Sequence, residues 1–133
     1  ITSHTSFLEI PEDISVLNVN PHMHLLGKSF KSFAIDPSGD TIRLISIPKW
    51  DFRWQYFYTF PTMVKIPKGS VIYLEASFDN TIDNPNNPHN PPQEISERFE
   101  FGGAGMRTTD EMLQFIITWL PYQKGDENIR LDL

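Results

Sequence analysis

Along most of this chain apolar and polar residues alternate with a period of two, the repeat of an extended strand whose successive side chains point to opposite faces. Ile72, Leu74, Ala76 and Phe78 fall on one face of such a segment, opposite Tyr73, Glu75 and Ser77. Near the end, Leu113, Phe115, Ile117 and Trp119 share one face and leave Met112, Gln114, Ile116 and Thr118 on the other. Trp50, Phe52, Trp54, Tyr56, Tyr58 and Phe60 alternate in the same way and predict a half-buried aromatic strand over 50–60, whose even face is core or the wall of a binding site. Further strands are expected at 14–19, 30–36 and 42–47, with turns at Pro37-Ser38-Gly39-Asp40 and Pro67-Lys68-Gly69-Ser70. Short strands at regular spacing with Pro/Gly turns specify an all-β, antiparallel β-sandwich.

At 133 residues the chain is read as a single domain, long enough to bury a real core. A formal charge of −6 without a Lys/Arg cluster argues against a nucleic-acid surface and for small molecules or proteins as partners. There is no cysteine, which excludes disulfides and thiolate ligands. No apolar run approaches the roughly 20 residues of a membrane-spanning helix. The opening Ile1-Thr2-Ser3-His4 lacks the features of a signal peptide, as expected of a mature or excised fragment. The segment 79–92, rich in proline and asparagine, cannot form a helix or a central strand and reads as a long loop. It could be a plain surface loop, a substrate rim, or a source of calcium ligands from Asp79, Asp83 and the asparagines.

The run Pro21-His22-Met23-His24-Leu25-Leu26-Gly27-Lys28 places two of the four histidines one residue apart in a strand-like setting. Residues i and i+2 share a strand face about 7 Å apart, so two imidazoles there can converge on one ion at about 2.0 Å each. The same pair also occurs as ordinary surface histidines. Met23, between them, is turned to the opposite face and expected in the core.

Three segments, taken in order, resemble one family. They are His22-Met23-His24-Leu25-Leu26-Gly27-Lys28, then Phe57-Tyr58 leading to Val64-Lys65-Ile66-Pro67-Lys68-Gly69-Ser70-Val71, then Thr109-Asp110-Glu111-Met112. With them the chain resembles the catalytic-copper domain of the copper type II, ascorbate-dependent monooxygenases, the group that includes peptidylglycine alpha-hydroxylating monooxygenase and dopamine beta-monooxygenase. The resemblance implies a jelly-roll sandwich of about eight strands and a catalytic copper held by His22, His24 and Met112. It also implies hydroxylation of a substrate C–H bond with dioxygen and electrons from ascorbate or a redox partner, and a periplasmic or secreted location. Two imidazoles and a thioether form a soft, low-charge donor set that suits copper cycling through Cu(I). Asp110 and Glu111 are candidates to orient an imidazole, or are simply solvated acids.

The chain departs from the family in three respects. The animal enzymes carry disulfides in this domain. The peptide-amidating enzyme reads its substrate's carboxylate through residues that here are Asn20, Gln114 and Ile116, so the cationic anchor is missing and a neutral or apolar substrate fits better. No segment matches the family's electron-transfer copper domain, so residues 1–133 are expected to be one part of a longer polypeptide whose N-terminal copper domain lies elsewhere.

His4 and His89 lack supporting neighbours as ligands; His4 is expected in a loose N-terminal segment and His89 in the Pro/Asn loop. Met63 and Met106 read as packing residues. No helical segment follows Gly102-Gly103-Ala104-Gly105, which argues against a phosphate cradle. The rival readings are a copper carrier or sensor without catalysis, and a structural sandwich whose histidine pair is incidental.

Overall fold

A computed structural model of the chain describes residues 1–53, 55–93 and 113–132. They form seven strands: β1 (Thr2–Glu9), β2 (Ile14–Met23), β3 (Gly27–Ile35), β4 (Thr41–Ile47), β5 (Tyr58–Ile66), β6 (Val71–Phe78) and β7 (Leu113–Pro121). A short 3-10 turn follows at Asp126–Asn128. No helix among the described residues is long and apolar enough to cross a membrane. The strands pair antiparallel in two sheets, ordered β1-β6-β3-β4 and β5-β2-β7, which is the expected all-β sandwich.

The inward faces supply the core in two clusters. Val16 and Val19 of β2 pack with Ala34, Leu44, Ile66 and Ile72, while Met23, Leu26, Phe30, Trp50, Ala76 and Phe78 fill the other end. Met23 is fully buried, as strand alternation requires. Burying a Val, Leu, Ile, Phe or Met side chain in this way contributes about 1.5–3 kcal/mol.

The two ends of the sandwich differ in their connections. At one end the chain turns tightly, with Gly39 (φ 90°) and Gly69 (φ 86°) supplying the left-handed backbone that the turns at 36–40 and 67–70 require. The other end collects the β2–β3 and β4–β5 connections, at 24–26 and 48–57, and the described residues 79–93 that follow β6. Long connections gathered at one end of a rigid scaffold are where binding residues concentrate.

Two expectations are corrected. The aromatic segment 50–60 is not one strand, because β5 begins only at Tyr58. Asp51 accepts bonds from the Arg53 amide (2.9 Å) and guanidinium (3.0 and 2.9 Å), folding the chain into a turn that breaks the alternation. Trp50 is buried while Tyr56 is 50% exposed, so the even-numbered residues do not share a face. His4 is not in a loose segment; it lies in β1 opposite Ala76, its ring edge-on to Phe78 at 5.5 Å. The polar sequence of β1 hides a strand held by its backbone ladder and by a cross-strand row in which Phe7, Tyr73 and Phe33 sit 6.4 and 5.5 Å apart. Trp119 keeps the register of that face, opposite the buried Val16, yet is 47% exposed near the end of β7, the edge strand of its sheet.

Gly27 carries a steric constraint. A Cβ there would stand 2.7 Å from Trp50 Cδ1 and 3.0 Å from Met23 Cβ. The indole thus packs directly on the glycine backbone, and the Trp50 amide bonds the Lys28 carbonyl at 2.8 Å. Gly27→Ala is expected to destabilise the protein by about 1–3 kcal/mol through overpacking, measured as a lower denaturant midpoint with an unchanged slope.

Candidate metal centre

The His-Met-His run lies where β2 reaches the long-loop end. His22 is the penultimate residue of the strand, on the outer face of the three-stranded sheet opposite Gln114 of β7. His24 sits just beyond the strand, where the chain turns; its carbonyl accepts the Gly27 amide at 3.0 Å and only 5% of the residue is exposed. The two histidines are neighbours: their ring centroids are 5.0 Å apart and their planes perpendicular.

The β4–β5 connection closes over them. Phe52 stands edge-on to His24 at 6.0 Å. Gln55 meets His22 Nδ1 through Oε1 at 2.5 Å and donates from Nε2 to the Phe52 carbonyl at 2.9 Å. This connection is anchored at its start by the buried Trp50 on Gly27 and shaped by the Asp51 turn, where the Arg53 side chain and amide hold the Asp51 carboxyl below the usual carboxylate range. Asn20 donates from Nδ2 to the Tyr56 carbonyl at 2.8 Å, pinning the same connection further along. Sequence periodicity missed Gln55 as a site residue and read Phe52 only as part of an aromatic strand face, because both approach the histidines through a turn rather than along a strand.

The positions beside the histidines follow from the β2–β7 ladder. Asn20 pairs with Ile116 and His22 with Gln114, so these positions flank the histidines across the β2–β7 ladder. Ile116 is 48% exposed and Phe57 64% exposed, giving the surroundings an apolar, aromatic character. The Arg53 side chain is engaged by Asp51.

Met112, together with Asp110 and Glu111, lies outside the described residues, as do Trp54, Met106 and Gly102-Gly103-Ala104-Gly105. The described neighbour of Met112 is Leu113, which pairs with Met23, the residue between the two histidines. Among the described residues no group of three or more His, Cys, Asp or Glu side chains gathers to hold a metal.

The Pro/Asn segment is organised by its own side chains. Asp79 Oδ1 accepts the Thr81 hydroxyl and amide at 2.6 and 3.1 Å, and Asn84 donates back to the Asp79 carbonyl at 2.8 Å. Asn87 donates to the carbonyls of Thr81 and Gln93 and accepts the His89 amide. These are turn-forming contacts, which is the surface-loop reading of the segment. It starts against the site, since the Asp79 amide bonds the Leu26 carbonyl at 2.8 Å.

No protein-family model, no curated protein and no solved structure matches the chain.

Proposed function

We propose that this chain is the catalytic-copper domain of a copper type II, ascorbate-dependent monooxygenase, with the metal held by His22, His24 and Met112. The observation that carries this reading is the spacing of the two imidazoles. A metal–nitrogen distance of about 2.0–2.1 Å puts each ring centroid about 3.2 Å from the ion, so an N–metal–N angle of about 100° separates the centroids by about 5 Å. The rings stand 5.0 Å apart. Leu113 adds support, because the chain continues from the ladder partner of Met23 directly into Met112.

The donor set fits copper in kind: imidazoles serve both oxidation states and a thioether favours the reduced one. Bound there, copper supplies the one-electron chemistry and the open coordination position that dioxygen activation needs. This chain's own residues do the rest. His24 is buried beside Phe52, which keeps that side of the pair away from water, while His22 lies toward the outer face where a substrate approaches. Asn20, Ile116, Tyr56 and Phe57 form a rim without a cationic anchor, suited to a neutral or apolar small molecule.

The jelly-roll form belongs to the same proposal. Successive strands switch sheets except at β3–β4, and the orders β1-β6-β3-β4 and β5-β2-β7 follow the two-sheet pattern of that fold with one position open beside β7. An eighth strand on that edge would complete it. The electron-transfer copper domain, the ascorbate reductant and an extracytoplasmic setting rest on the family resemblance.

Copper titration tests the centre: one ion per chain is expected, and absence of binding would leave the pair incidental. Turnover by the complete polypeptide then separates the monooxygenase from a copper carrier or sensor, which would bind Cu(I) but consume no oxygen with reductant.

A further inference from the structure

We infer that Gln55 is a positioning residue that fixes His22 as the Nδ1–H tautomer and presents its Nε2 as the metal donor. A neutral imidazole carries one proton and one lone pair, and which nitrogen holds which is set by the partner of the ring. The partner here is an amide, whose two ends differ. Gln55 Nε2 is committed to the Phe52 carbonyl at 2.9 Å, so the atom turned to His22 Nδ1 is the carbonyl oxygen Oε1. An oxygen acceptor requires the proton on Nδ1, which leaves the lone pair on Nε2.

The lock is built from the fold. Phe52 and Gln55 belong to one turn, shaped by Asp51 and seated through Trp50 on Gly27. The acceptor oxygen therefore belongs to a side chain tied to the backbone of its own turn. The same turn brings Phe52 against His24, so one short connection orients one imidazole and shields the other. Metal-binding histidines generally depend on such a partner at the other ring nitrogen, and its loss costs about 10–100-fold in metal affinity.

The tautomer part stands on the geometry of Gln55 and His22 alone, whereas the donor part rests on the copper reading above. The test uses the 133-residue chain without metal, labelled with 15N in its histidines, because the two tautomers have distinct ring-nitrogen shifts and couplings. His22 in the parent is expected as Nδ1–H. Gln55→Leu should shift it toward the other tautomer, while Gln55→Glu, which keeps an acceptor oxygen but cannot donate to the Phe52 carbonyl, should retain Nδ1–H. An Nε2–H parent, or a Gln55→Leu spectrum like the parent's, overturns the inference. The Gln55→Glu comparison separates loss of the acceptor from loosening of the turn. Titration of the same samples with Cu(I) should show about tenfold weaker binding for Gln55→Leu and recovery in Gln55→Glu. Unchanged affinity would overturn the donor role. A parent that binds no copper yet shows the expected tautomer response would remove the copper reading and leave the tautomer lock standing.

Discussion

Met112→Ala is expected to lose most of its Cu(I) affinity while keeping a substantial part of its Cu(II) affinity, whereas His22→Ala loses both. The difference follows from donor softness. Imidazole is a borderline donor that serves either oxidation state, while a thioether contributes little to Cu(II) and much to Cu(I). Removing a direct ligand should exceed the roughly 10–100-fold penalty that follows loss of an outer partner. Competition against a colorimetric Cu(I) chelator measures the first effect and a Cu(II) titration the second. X-ray absorption adds a check, since a copper–sulfur distance present in the parent should vanish in Met112→Ala and persist in His22→Ala. Equal Cu(I) affinity in the parent and Met112→Ala would remove the methionine from the centre. The structural part of the site would then reduce to two imidazoles 5.0 Å apart.

The second large effect concerns catalysis. Loaded with copper and supplied with ascorbate, the 133-residue chain alone is expected to consume oxygen with little or no coupled hydroxylation, releasing peroxide instead. The balance of the reaction is the reason: R–H + O2 + 2 e⁻ + 2 H⁺ gives R–OH + H2O, and a centre with one copper delivers one electron per reduced ion. The sequence has four histidines, and with His22 and His24 assigned to one copper, His4 and His89 remain. His4 is packed on Phe78 in β1 and His89 lies in the asparagine-tied loop, so the described structure does not gather a second imidazole-rich site from them. Oxygen consumption and product formation measured together decide the matter. One product per oxygen would mean that the chain needs no second copper domain.

Strand alternation was enough to place the sandwich. Ile72, Leu74, Ala76 and Phe78 could be read as an inward face because a strand repeats every two residues and needs no distant information, and burial of Ile72, Ala76 and Phe78 follows from it. The same rule placed Met23 in the core between the two histidines. It failed where long-range geometry intervened. The β1 strand is too polar to show a pattern and exists because β6 offers it a free edge. Trp119 lies opposite the buried Val16, but its place on the edge strand β7 leaves it 47% exposed. Segment 50–60 has a strand's composition, yet Asp51 turns it through side-chain bonds that compete with any ladder.

By itself the sequence determined the all-β sandwich and the pair of histidines spaced for one strand face, because both follow from the two-residue period of an extended chain. What tertiary structure decided was how those histidines are held. A turn more than 25 residues further along the chain brings Phe52 against His24 and the Gln55 oxygen against His22, seated on a glycine that leaves room for an indole. No local pattern encodes that approach, since it depends on how the β4–β5 connection folds back across the end of β2, and only the packed core of Met23, Leu26 and Trp50 sets where that connection comes to rest.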